Sequence, residues 1–173
     1  MAFLRTAVVT VPAILLLGFL SANSVAVGSV NRWYAMLVKP ALTPPDWVFP
    51  IAWTVLYVAM GLALAMVINA RGSAWRGVAI ALFAAQLAVN LAWTPLFFGA
   101  HQLFWALILL VLMFALAAAA TFFFARVRVA AALLMLPYLG WILFAGMLNY
   151  QINALNPNAE TLVPTAGSAQ IPL

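Results

Sequence analysis

Three groups of residues carry most of the chemistry this sequence offers, and each has the spacing of one helix face. Gln86, Asn90, Trp93 and Phe97 recur at i, i+4, i+7 and i+11. Trp53 and Tyr57 share a second face, and Tyr138, Trp141, Ala145 and Asn149 a third. If the faces converge, they form a cavity with aromatic walls and a few amide groups. Such a cavity suits a flat, largely apolar ligand with a polar edge. The same spacing also describes plain packing, because aromatic stripes fill helix interfaces and Asn or Gln ties helices together. Spacing alone leaves both readings open.

Other chemistry has little to work with. The only acids are Asp46, in a loop, and Glu160, in the tail, so no paired carboxylates for acid–base work are evident. His101 stands alone beside a turn, with no second ligand near it, which reads as a structural or interfacial histidine. Cysteine is absent, so disulfides, thiolate nucleophiles and cysteine metal sites are excluded. No nucleotide-binding loop is present. The sequence therefore predicts no metal and no required cofactor.

These faces must be held by elements that suit an extreme composition. The chain has 173 residues, 69% hydrophobic and 5% charged. Its mean hydropathy is +1.18. Soluble domains are about 45–50% apolar and about 25% charged. A soluble enzyme, a nucleic-acid binder and a disordered chain are excluded, and an integral membrane protein remains. The pI of about 10.5 does not restore nucleic acid as a partner, since the basic residues are scattered singly between apolar runs.

A spanning helix needs about 20 predominantly apolar residues. Five stretches qualify: Thr6–Val27, Trp47–Ala70, Gly77–Phe98, Leu103–Ala125 and Val129–Tyr150. Strand-type alternation is missing, which argues against a transmembrane barrel. The expected fold is an all-α integral membrane protein, a bundle of five transmembrane helices with a long ordered loop between the first two. None of the spans has an ionised side chain in its middle, which argues against a proton relay, a voltage sensor or an ion pump. The first stretch has some signal-peptide features, a basic Arg5 and small residues near its end, but its length favours a retained helix.

Short connections around residues 71–76, 99–102 and 126–128 predict antiparallel neighbours. The first loop, 28–46, is long and holds Trp33, Tyr34, Pro40, Pro44 and Pro45. Its prolines restrict the backbone and its aromatics suit the membrane interface, so it reads as a semi-rigid lid over one end of the bundle. Residues 1–155 form the membrane domain, and 156–173 read as a flexible tail. Arg5, Arg71, Arg76, Arg126 and Arg128 lie on the N-terminal side, against Arg32 and Lys39 on the other. In a bacterial inner membrane this places the N-terminus in the cytoplasm and the first loop outside. An outer membrane would break the rule. Small residues recur along the third span, Ala81 with Ala85 and Ala84 with Ala88 and Ala92, and along the second, Gly61 with Ala65. Such ridges allow close approach, within the chain or between two copies.

Several separated motifs resemble the translocator protein family, whose bacterial members are called tryptophan-rich sensory proteins, or TspO. They are Trp33-Tyr34 with Leu37 and Lys39-Pro40, then Pro44-Pro45 with Trp47-Val48-Phe49-Pro50, Trp53, Leu56-Tyr57 and Met60-Gly61. Further on come Gln86-Leu87, Asn90, Trp93, Pro95 and Phe97-Phe98-Gly99, then Pro137-Tyr138-Leu139 with Trp141, and Phe144-Ala145 with Leu148-Asn149-Tyr150. The resemblance covers roughly residues 10–155 in order. It implies a five-helix bundle, a homodimer through the third span, and binding of protoporphyrin, haem and drug-like polycyclic ligands. It also implies a ligand pocket under the first loop, lined by Tyr34, Pro44, Trp53, Asn90, Trp93, Trp141 and Ala145.

Two departures qualify the resemblance. Leu42 stands where many members carry a large aromatic, which predicts a looser loop. The cholesterol motif of animal members needs a basic residue after Leu148 and Tyr150, and none occurs in 151–158, so cholesterol is not an expected partner. The resemblance supports porphyrin binding for transport, sensing or stress regulation. Its alternatives are light-dependent protoporphyrin degradation, with Trp53 and Trp141 as the implicated residues, and a ligand-tuned membrane adaptor without transport.

Overall fold

The computed structural model describes residues 2–162 and holds five helices long and apolar enough to cross a membrane. They are α1 (Ala2–Ala22), α3 (Val48–Asn69), α4 (Arg76–Thr94), α5 (Leu103–Val127) and α6 (Val129–Leu155). A short helix, α2 (Arg32–Met36), lies in the first loop. Helices satisfy their backbone polar groups internally, as a lipid environment requires. Large apolar side chains such as Leu16, Val55, Val111 and Leu133 are exposed around the bundle. A soluble monomer would not present so continuous an apolar surface, but a lipid-facing one does.

The helices pack in a ring. α1 lies on α3, α3 on α6, α6 on α5 and α5 on α4, and α4 returns to lighter contact with α3 and α1. The α1–α3 seam is tight because Gly61 has no side chain: a Cβ there would lie 2.7 Å from the Val11 Cα. The approach lets the Thr10 hydroxyl donate across it to the Gly61 carbonyl at 2.8 Å. Below Gly18, the Tyr57 ring occupies the space a side chain would need. The Gly61 ridge thus serves packing within the chain. The ridge on α4 does not, since Ala81, Ala84, Ala85, Ala88 and Ala92 are all exposed.

Local chemistry sets the helix ends. α1 stops five residues before the expected Val27, because Asn23 and Ser24 turn their side chains back to the Phe19 and Ser21 carbonyls. In the first loop, Asn31 caps α2 by accepting from the Tyr34 N–H at 3.0 Å. The Asn31 amide also donates to the Ala26 and Phe98 carbonyls, at 2.8 and 3.0 Å, which ties the loop to the end of α4. Pro95 opens that end into a π-helical turn, Pro95–Gly99, closed by the Ala100 N–H on the Pro95 carbonyl at 2.9 Å. α5 and α6 are separated by the single extended residue Arg128.

The first loop is ordered, with Trp33, Tyr34 and Leu37 buried against Phe97, Leu103, Ala106 and Ile152. His101 has φ 57 and stacks on the Trp33 ring at 4.4 Å, a structural position as its isolation in sequence suggests. Leu42 is 61% exposed. Residues 156–162 also pack on the bundle: the Trp33 indole N–H donates to the Ala159 carbonyl at 2.8 Å, and Ala159 is buried. The remainder of the expected tail, 163–173, lies outside the described residues.

Candidate functional site

The three helix faces singled out by their spacing do meet. Trp53 on α3 stacks on Tyr57 one turn away, with ring centroids 5.2 Å apart. It meets Tyr138 and Trp141 of α6 edge to face, at 6.3 and 6.4 Å. Phe49 packs against the Trp141 ring at 6.0 Å. α4 contributes Asn90 and Gln86, both buried.

The amide groups do not stand open towards a cavity as the spacing suggested. The Tyr57 hydroxyl donates to Asn90 Oδ1 at 2.9 Å. Asn90 Nδ2 donates to the Tyr138 hydroxyl at 3.2 Å and lies 3.6 Å from the Met113 sulfur. The Tyr138 hydroxyl donates in turn to Gln86 Oε1 at 2.7 Å. The physical reason is the expense of a buried unpaired polar group, which drives these side chains to satisfy one another. The network still ends on an unspent donor, Gln86 Nε2, which has no partner among the described residues.

A second aromatic group lies nearer the first loop. Trp93 stacks on Phe97 at 4.9 Å, and Tyr34 meets Phe97 and Phe98 at 6.1 and 5.2 Å. Trp93 packs against both core clusters and so joins the two groups. Its indole N–H is buried and unpartnered among the described residues. Lys39 lies over the Tyr34 ring at 4.6 Å.

Open volume lies to the side of the aromatic group. A cleft of about 450 Å³ between α3 and α6 is lined by Ala52, Val55, Leu56, Pro137, Gly140, Trp141 and Phe144. Pro137 and Gly140 help create it, since a Cβ added at Gly140 would meet nothing within 4 Å. Ligand pockets span about 300–1,000 Å³ and are mostly apolar, and this cleft has that size and character. Trp141 belongs to both the cleft and the aromatic group.

Of the seven residues named from sequence, Trp53, Trp141 and Ala145 are partly buried and pack against the larger core, Asn90 is bonded to its Tyr57 and Tyr138, and Tyr34 belongs to the loop-side cluster, with Trp93 touching both. Pro44 is half-buried in the first loop and belongs to neither core cluster. Sequence reasoning did not assign Tyr138 its role as the hub of the hydrogen-bond network, although its place beside Trp141 was visible. It also missed Gly140 and Ala52, whose small size gave no chemical signal. Among the described residues, no group of His, Cys, Asp or Glu could hold a metal ion.

The loop carries its own electrostatics. The Ser29 hydroxyl and backbone N–H both donate to Asp46, and these bonds hold its carboxyl below the ordinary aspartate range. Gly28, at φ +65, passes so close to this carboxylate that a side chain would collide with it. The Tyr34 phenol is pushed up, mainly by burial and secondarily by the Asp46 charge.

Comparison with known proteins bears on what this site serves. The model of the TspO/MBR family matches residues 8–155. The "Tryptophan-rich protein TspO" of Chlorobaculum tepidum is 43% identical over 129 residues, covering 72% of this chain and 80% of the relative. The "Translocator protein" of Bos taurus is 45% identical over 137 residues, covering 78% and 80%. The "Tryptophan-rich sensory protein" of Cereibacter sphaeroides is 41% identical over 128 residues, covering 74% and 79%.

Proposed function

The chain belongs to the TspO/MBR family of multi-pass membrane proteins, and on that premise we propose that it is a translocator-like receptor for tetrapyrroles such as protoporphyrin and haem. The observation that carries this reading is the position of Trp141. Its indole lines the apolar cleft of about 450 Å³ and meets Trp53 edge to face, beside the buried network of Tyr57, Asn90 and Tyr138. A porphyrin is a flat apolar disc with carboxylates at one edge. Its face suits stacking on an indole. The N–H groups of Gln86 and Trp93, unpaired among the described residues, suit a ligand acceptor that reaches past the aromatics. Tyr34, Pro44, Asn90, Trp93 and Ala145 complete the proposed ligand-binding set. Lys39 and Arg32 supply the positive charge at the loop end for the carboxylates.

In this reading the N-terminus faces the cytoplasm, and two copies pair through the small residues of α4. Exposure of Ala84, Ala88 and Ala92 supports that pairing. Any transport is passive, because the spans carry no ionised group in mid-membrane to couple to a gradient.

The direct test is intrinsic tryptophan fluorescence of the detergent-solubilised protein, titrated in the dark with protoporphyrin, beside Trp141→Phe. Saturable quenching that weakens in the variant is the expected result. Linear quenching equal in both proteins would mean nonspecific partitioning and would sink the proposal. A second reading, light-dependent loss of the porphyrin, is favoured by the Trp53–Trp141 contact at 6.4 Å, which places two oxidisable indoles together. It requires that Trp53→Phe and Trp141→Phe keep dark binding and lose turnover under light.

A further inference from the structure

At the end of the bundle away from the aromatic group, the α3–α4 turn and the α5–α6 corner enclose a second, open cleft of about 800 Å³. Arg71 and Ser73 line it from the turn, and Arg126 and Arg128 from the corner. Among the described residues, no acidic side chain lines the cleft beside these three guanidinium groups. Asp46 is held by Ser29 and Glu160 accepts from the Phe104 N–H, both at the opposite end.

The cleft also holds the carbonyl ends of α3 and α5, at Asn69–Ala70 and Val127, which cations suit, and beside them two further sources of donors. Ser73 Oγ accepts from the Trp75 N–H at 3.3 Å and keeps its own hydrogen to give. α6 starts at Val129 with no side-chain cap from Arg128, and Val129 and Ala130 line the cleft. The first backbone N–H groups of a 27-residue helix therefore face it with partial positive charge. Guanidinium forks, a hydroxyl and a helix N-terminus together are the chemistry of a phosphate site.

The depth of the cleft narrows the source of the phosphate. α3 and α5 end here, so the cleft lies at the level of the lipid headgroups. Trp75, 47% exposed and packed on Phe123 at 5.4 Å, is the residue type enriched at that level. A simple excess of positive charge on one side of a membrane would not gather three arginines from two separate connections into one concavity. Arg5, at the same end, does not line it.

We infer that this cleft seats the phosphate headgroup of an anionic phospholipid from the surrounding leaflet, bridging the α3–α4 turn and the α5–α6 corner. The inference is independent of the ligand proposed for the aromatic site.

The test uses the full chain in neutral detergent, where insertion orientation does not enter. Phosphatidylglycerol is titrated in and its retention read by native mass spectrometry, with phosphatidylcholine and inorganic phosphate run separately. The wild type should retain phosphatidylglycerol about tenfold better than phosphatidylcholine, and Arg126→Gln/Arg128→Gln should lose about tenfold in retention. Arg5→Gln/Arg76→Gln, with the same loss of charge at the same end but outside the lining, should stay within about twofold. Arg126→Lys/Arg128→Lys keeps the charge without the planar fork and should fall between; it stands in if the glutamine variant does not fold. Equal retention in wild type and cleft variants would overturn the inference. So would equal loss in the two glutamine pairs, which would mean diffuse surface charge. Complete displacement of the lipid by inorganic phosphate would assign the cleft to a free anion instead.

Discussion

The Tyr57 hydroxyl donates to Asn90 at 2.9 Å and so decides which way the buried amide points. With Oδ1 taken by Tyr57, Nδ2 faces the Tyr138 hydroxyl, and Tyr138 must donate onward to Gln86 Oε1. Each bond orients the next, and the chain ends on Gln86 Nε2, a donor with no partner among the described residues. A hydroxyl on α3 thus controls the donor that α4 holds in reserve.

Removing Asn90 should expose this dependence. Asn90→Leu leaves two buried tyrosine hydroxyls short of a partner and should cost about 1–3 kcal/mol in stability. Adding Tyr57→Phe removes one of the stranded groups, so the double variant should lose less than the sum of the two single changes. Denaturant unfolding in detergent measures the cycle. Strict additivity would show that the Tyr57–Asn90 bond contributes nothing.

The lateral cleft can be filled without disturbing the bundle. A side chain at Gly140 enters open space, and replacing a helical glycine is favourable by about 0.5–1 kcal/mol for alanine. Gly140→Leu should therefore fold normally, keep its melting temperature and weaken protoporphyrin quenching by about tenfold. Unchanged quenching in the folded variant would move the ligand away from the α3–α6 cleft.

Gly61 should respond in the opposite way. Its missing Cβ would lie 2.7 Å from the Val11 backbone, which cannot rotate aside as a side chain can. Gly61→Ala should push α1 off α3, stretch the Thr10 bond to the Gly61 carbonyl and cost about 1–3 kcal/mol. The melting temperatures of the two glycine variants, taken in one detergent, compare them directly.

The first loop should loosen in acid. Asp46 titrates below the ordinary aspartate range when folded, because Ser29 donates to its charged form. Its contribution is complete above the unfolded value of about 3.9, declines as pH falls below that, and is gone once pH passes the lowered folded value. Protection of the Ser29 amide, relative to its intrinsic exchange rate at each pH, should fall across that window. Asp46→Asn should be less protected at neutral pH and show little further change in acid. Protection of Ser29 independent of pH in the wild type would refute the assignment.

Much of the fold was legible in the apolar runs. In lipid the backbone must bond to itself, so five stretches of the right length had to be helices, whatever they packed against. The boundaries were less legible because they depend on side chains that turn back, as Asn23 and Ser24 do at the end of α1. The motif residues around Trp53, Asn90 and Trp141 were also visible as shared faces, because helical spacing places them before any contact is known.

Only the tertiary structure decided how those faces are used. Tyr57 and Asn90 are 33 residues apart, and Tyr138 and Gln86 are 52 apart, so nothing local could show that their polar groups would consume one another. The ridges at Gly61 and at Ala84–Ala92 have similar spacing, yet one is pressed against α1 and the other is exposed. Likewise, Arg71 and Arg126–Arg128 share a cleft only because α3 to α6 form one ring. Periodicity specifies which side of a helix a residue occupies. What that side meets depends on the arrangement of the other helices, which is set by packing between segments remote in sequence.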